Sequence, residues 1–141
     1  MMAVLAQGDT ETIARGLAAA NCDAKFVELR APEVGLVMLR GRIGGTGAQF
    51  NVGEASVARA AVRLASGETG IACVLGRDQK KARLAAICDA LWQCADTRAD
   101  IERHVLVPLR AAHDRQRRIE RARTAATKVD FFTLVRGEDE R

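Results

Sequence analysis

The sequence predicts an α+β domain: an N-terminal helix, a roughly four-stranded antiparallel sheet, then two or three C-terminal helices. Changes of apolar period carry that prediction. Apolar residues recur at helical spacing over 9–20, alternate through extended segments between 25 and 76, and return to helical spacing after Asp78. Short turns join the extended segments, which suits an antiparallel meander.

The elements follow in order. Residues 9–20, DTETIARGLAAA, read as a helix capped by Asp9 or Thr10, with Ile13, Leu17 and Ala20 on one face. Asn21 fits the helix exit. Residues 25–30 read as extended, and Pro32 favours that for the residue before it. Residues 34–43 make a strand, with Val37, Leu39 and Ile43 on one face and Leu36, Met38, Arg40 and Arg42 on the other. A loop at Gly44–Ala48 leads to a short extended piece, Gln49–Val52, and Gly53 marks another turn. Residues 55–64 alternate, placing Val57, Arg59, Ala61 and Arg63 together. A helix there would still make Arg59 and Arg63 neighbours at i, i+4. SGETG at 66–70 reads as a hairpin turn and IACVLG at 71–76 as a buried strand.

Asp78 is placed to cap a helix running to about Ala95, with Leu84, Ile87, Leu91 and Cys94 as its apolar stripe and Trp92 beside it. A second helical stretch begins near Arg98, and Pro108 either interrupts it or opens a new helix. Leu109, Ala112, Ile119 and Ala126 give that last helix a thin apolar face, so it is not expected to pack on its own domain along its whole length. The chain reads as one domain, 1–141, with 1–8 and 137–141 expected as mobile ends. Residues 108–136 form a C-terminal helix and an apolar tail, in which Phe131, Phe132 and Val135 are the expected partner-docking residues.

Composition narrows the function classes. Apolar residues make up 48% of the chain and mean hydropathy is −0.07, as in a soluble globular domain. No apolar run approaches the roughly 18–20 residues a membrane span needs. The opening MMAVLAQGDT lacks a basic n-region, so a cytoplasmic protein without a membrane partner is expected. Cys22, Cys73, Cys88 and Cys94 form no CxxC pair, and His104 and His113 complete no zinc motif. No metal site is predicted, and the cysteines read as buried free thiols. The net charge of +4 lies entirely in the second half, since residues 1–70 hold 7 basic and 7 acidic groups. Seven basic residues fall between Arg110 and Lys128, a surplus fit for an acidic protein face or a nucleic acid. Nucleic acid is the less expected of the two, because aromatic content is 4% and no binding signature accompanies the run.

The stretch Gly41–Phe50, GRIGGTGAQF, invites a phosphate-loop reading. It lacks both GxxxxGK[ST] and GxGxxG, and it leads into an extended piece rather than a helix. A hairpin connection is the plainer reading. Arg40, Arg42, Gly44, Gly45, Thr46, Gly47, Arg59, Arg63 and Arg77 are the candidates for phosphate or subunit contact, because guanidinium forks suit phosphate and carboxylate. The alternatives are a solvated sheet face, pairing with Glu54 and Glu68, and simple helix capping at Asp78. No catalytic residue is assignable from the sequence.

Several stretches together carry a resemblance: RIGGTGAQFNVGE at 42–54, AAVRL at 60–64, VLGRD at 74–78, DAL at 89–91 and KVDFFTLVRGE at 128–138. The chain from about residue 9 to 138 resembles the G subunits (PhnG) of the bacterial carbon–phosphorus lyase core complex. The resemblance implies assembly with H, I and J subunits into a two-fold hetero-oligomer. It implies a share in making α-D-ribose 1-methylphosphonate 5-triphosphate from ATP and methylphosphonate with release of adenine, a transferase step of phosphonate catabolism. ATP would then be a substrate of the complex, with no cofactor bound by this chain. It assigns no catalytic residue here. The alternative from another class is a basic nucleic-acid-binding module without enzymatic activity.

Overall fold

The computed structural model describes residues 1–22 and 25–129. Phe131, Phe132 and Val135 lie outside the described residues. Residues 1–8 were expected as a mobile end, but Met2–Gln7 form helix α1, and its Leu5 is fully buried. Helix α2, Thr10–Ala19, follows the predicted span, with Ile13 buried and Asn21 at its exit in the left-handed region at φ 46°. Asp9 caps α2 by accepting from the Thr12 amide at 2.9 Å.

The sheet departs from expectation. Among the described residues it has three strands, β1 (Phe26–Arg42), β2 (Gln49–Leu64) and β3 (Thr69–Leu75), antiparallel in the order β1-β2-β3. The two segments predicted at 25–30 and 34–43 are one strand. Pro32 does not end it, because β1 is an edge strand and a missing amide there breaks no ladder. Two register shifts, between Glu28 and Arg30 and between Arg30 and Glu33, absorb the irregular stretch as bulges. Gly53 is likewise no turn: it sits inside β2 opposite Leu39.

The described helices cover one face of this sheet. Helix α3, Gln79–Gln93, lies on β2 and β3. Its buried positions are Ala82, Ala85, Ala86, Cys88, Ala90 and Leu91, while the predicted stripe residues Leu84 and Ile87 are only half-buried. The reason is close approach. The strands offer Ala58, Ala60, Val62, Ala72 and Val74, and Gly70 of β3 sits directly beneath α3. A Cβ added at Gly70 would enter the Ala86 carbonyl and lie 2.5 Å from the Ala90 nitrogen. Small residues on both sides let the backbones meet, and the larger side chains flank the contact.

Asp78, the predicted N-cap of α3, accepts from the Lys81 amide at 2.8 Å and from Thr10 Oγ1 at 2.6 Å. It therefore ties the starts of α2 and α3 together, and Lys80 reaches Glu11 at 2.7 Å across the same junction. Helix α4, Ala95–Ile101, runs through a π-helical turn, Glu102–Leu106, into helix α5, Val107–Ala126. Pro108 opens α5 rather than interrupting it. Ile101, Val105, Leu106 and Leu109 are buried, and everything on α5 from Arg110 onward is exposed. Glu102 accepts from Trp92 Nε1 at 3.2 Å and pairs with Arg110, while the Arg98 guanidinium stacks 4.9 Å from the Trp92 ring.

Gly70→Val forces α3 off the sheet and is expected to cost about 3 kcal/mol or to prevent folding. Gly53→Val, where an added side chain meets open space, is expected to stay within about 0.5 kcal/mol of the parent in denaturant titration. Four of the described carboxyls sit below their ordinary values: Asp9 through the Thr12 hydrogen bonds, Glu68 through Ser66, Asp78 through Thr10 and then the Lys81 amide, and Glu102 through Arg110. Their folded values lie below the unfolded ones. The stabilisation is therefore complete only above the unfolded values, from about pH 5.5 upward, and is lost as the pH falls through the folded values. Tm followed against pH should drop on that acid limb, with a shallower drop in Asp78→Asn.

Candidate functional site

The predicted arginines do not form one cluster. Arg59 and Arg63 lie on the sheet face away from the helices, opposite Glu33 and Val27 of β1. Arg40 and Arg42 lie at the far end of the β1–β2 hairpin, opposite Asn51 and Gln49. Eight strand residues separate Arg59 from Asn51, on the order of 26 Å at about 3.3 Å per residue.

The Arg59 group is tied to carboxylate. Arg59 donates to Glu33 Oε1 at 3.0 Å, and Arg30 approaches the same oxygen at 3.6 Å. Gly35 leaves room for this, since a Cβ there would sit 3.1 Å from the Arg59 terminal nitrogen. The Arg59 Nε is buried without a hydrogen-bond partner. Arg63 donates to Thr69 Oγ1 at 3.4 Å. Beside them runs a shallow groove of about 340 Å³ lined by Leu29, Arg30, Arg59, Ala61, Ile71 and Cys73, among others. The carboxylate that pairs here is Glu33, shared by Arg30 and Arg59, rather than Glu54 or Glu68. Glu68 instead accepts from Ser66, which holds its carboxyl low.

The glycine loop is a hairpin connection. Gly44 has φ +65°, where a side chain is disfavoured, and a Cβ on Gly47 would collide with the Ile43 carbonyl. Gly45 faces open space, and Thr46 is exposed. Arg42 donates to the Gly47 carbonyl at 3.2 Å and so braces the loop from inside. Arg40 and Arg42 hold the same alternate β1 positions as Leu36 and Met38, past a register shift between Leu39 and Arg40, and both are exposed. Arg77 is exposed at the β3–α3 junction, beside the Asp78 cap.

Two projecting elements frame these residues. One is the outer half of the β1–β2 hairpin, and the other is α5. Among the described residues no group of three His, Cys, Asp or Glu side chains is placed to hold a metal ion, and no helix is long and apolar enough to cross a membrane. A family model described as phosphonate metabolism protein PhnG matches residues 1–137. The chain belongs to the PhnG family. A Rhizobium meliloti (strain 1021) protein called alpha-D-ribose 1-methylphosphonate 5-triphosphate synthase subunit PhnG is 56% identical over 112 residues, covering 79% of this chain and 70% of that protein.

The PhnG match covers the described fold, including the hairpin and α5. What sequence reasoning missed is the exposure of the hairpin's apolar residues. Its signal was present: VGLVML at 34–39 is apolar on both faces, the pattern of a strand covered on both sides. The structure leaves both sides open. The cysteines also differ from expectation. Cys88 is buried and Cys22 and Cys94 are half-buried, but Cys73 is exposed on the open sheet face, because α3 covers only the alternate β3 positions Ala72 and Val74. Burial pushes the Cys88 thiol up to about 12. Mass spectrometry after brief iodoacetamide treatment near neutral pH should find Cys73 modified at least about 100-fold faster than Cys88, because the thiolate is the nucleophile.

Proposed function

We propose that the chain is the G subunit of an α-D-ribose 1-methylphosphonate 5-triphosphate synthase, acting in phosphonate catabolism with H, I and J subunits in a two-fold hetero-oligomer. The observation that carries this reading is the 56% identity to the Rhizobium meliloti subunit. The reaction moves the ribose C1′ of ATP from the adenine nitrogen to a methylphosphonate oxygen. The N-glycosidic bond breaks, a C–O bond forms, adenine leaves with the bonding pair and takes up a proton, and the 5′-triphosphate is retained. ATP enters as a substrate of the complex, this chain holds no cofactor of its own, and the assembly works in the cytoplasm.

Within this reading Arg40, Arg42 and Arg77 are exposed for phosphate or subunit contact, and the tip glycines Gly44, Gly45 and Gly47 with Thr46 present backbone beside them. Arg59 and Arg63 are poorer candidates, because Glu33 and Thr69 already engage them. Phe131, Phe132 and Val135 serve as a docking tail. The exposed basic helix α5 favours one second reading, a nucleic-acid-binding module, whose affinity would fall steeply with salt through counterion release.

Coexpression with the H, I and J subunits tests the first reading. The chain is expected to co-purify with them, and adenine release from ATP is expected only when methylphosphonate and the complete assembly are present. Deleting residues 128–141 should abolish co-purification; undiminished assembly would remove the docking role of the tail. Tight duplex DNA binding at physiological salt, without co-purification, would favour the second reading.

A further inference from the structure

Among the described residues, the outer half of the β1–β2 hairpin is a two-stranded arm without cover. Residues 34–42 pair with residues 49–58, while β3 stops where Leu75 meets Val57. Beyond that point both edges of the arm lack a strand neighbour among the described residues, because β1 is already the sheet's edge. Both faces carry exposed apolar side chains. Leu36 (62% exposed) and Met38 (51%) lie on one, and Val37 and Leu39 on the other. Val52 (60%), Phe50 (43%) and, at the tip, Ile43 (78%) extend the surface. A two-stranded ribbon open on both faces is marginal in water. Together with Val34 these side chains are eight of the fifteen large apolar residues exposed among the described residues, a concentration that marks an interaction surface.

We infer that this arm inserts into a cleft of a partner subunit, whose apolar walls cover both faces, whose strand pairs with an open edge, and whose carboxylates meet Arg40 and Arg42. The inference rests on the subunit reading above. Charge sets the polarity of the cleft's inner end, since Arg40 and Arg42 lie beyond Glu54, the arm's one acidic residue, which sits opposite Met38. A second copy of this chain pairing edge to edge would leave both apolar faces wet. A bilayer would leave the unpaired amides and carbonyls of both edges without partners.

The test uses the full chain coexpressed with the H, I and J subunits. Two double variants, Leu36→Asp/Met38→Asp and Val37→Asp/Leu39→Asp, change exposed positions beyond the helical body. Each is expected to keep the parent circular dichroism and Tm and to associate at least about tenfold more weakly. Hydrogen exchange on the unmodified chain gives an independent readout should a variant misfold. Amides of 34–42 and 49–56 should exchange at least about tenfold more slowly in the assembly than in the free chain. Folded variants that assemble like the parent, or arm amides that exchange equally fast in both states, overturn the arm's role alone. An unmodified chain that never assembles overturns the subunit reading and the arm with it. An arm-dependent homodimer of the free chain overturns the choice of partner.

Discussion

The β1–β2 ladder is longer than anything available to cover it. Its paired residues run from Phe26 with Leu64 to Arg42 with Gln49, while β3 spans only Thr69–Leu75. Backbone pairing alone does not stabilise a ribbon in water, because each hydrogen bond made replaces one to solvent. Stability comes from the apolar face laid against something else. That condition is met from about Val57 to Leu64 and fails from Glu54 outward to the tip. The mismatch divides the described residues into a body that stands by its own packing and an arm whose side chains suit an environment the rest of those residues do not supply.

The body achieves its packing with small residues. Alanines on β2, β3 and α3, with Gly70 beneath Ala86 and Ala90, bring helix and sheet backbones close. Close contact forfeits the large transfer energies of leucine or phenylalanine but gains dense packing over a long line. The same closeness lets α3 side chains cap the β3 edge: Asp89 accepts from the Ile71 amide at 3.0 Å and Gln93 donates to the Thr69 carbonyl at 2.9 Å. The β3 edge is thus blunted against strand addition within the body, whereas the edges of the arm are open.

Much of this was legible in the sequence, and the failures have physical causes. Asp9 and Asp78 announced two helix starts, because a carboxylate before an apolar-periodic run has one local use. Pro108 at the start of α5 and the thin apolar face beyond it were equally readable. The two halves of β1 were read apart because alternation is interrupted near Pro32, and only the assembled sheet shows that bulges carry an edge strand through it. Leu84 and Ile87 misled because burial by size fails where alanine and glycine set the distance. Residues 1–8 are too short and too uniformly apolar to show a period, yet Leu5 finds the core through α3, β3 and α5. For the candidate site, alternation grouped the arginines correctly within each strand. It could not place Glu33 opposite Arg59, since the bulges around Arg30 set that register.

That register decides which arginines are available to a ligand. Arg59 shares Glu33 with Arg30, so an anion approaching it must displace a carboxylate and gains little for the exchange. Arg42 spends one donor on the Gly47 carbonyl, which shapes the loop while leaving the rest of its fork exposed. Arg40 and Arg42 stand on a stretch with no acidic residue, at the end of a ribbon that carries them well away from the body's carboxylates. The glycines serve that geometry: Gly44 supplies the left-handed turn, and Gly47 keeps clear of the Ile43 carbonyl. A loop built this way holds two guanidinium groups at the farthest reach of the fold. Charge placed there acts on whatever receives the arm, not on the domain that bears it.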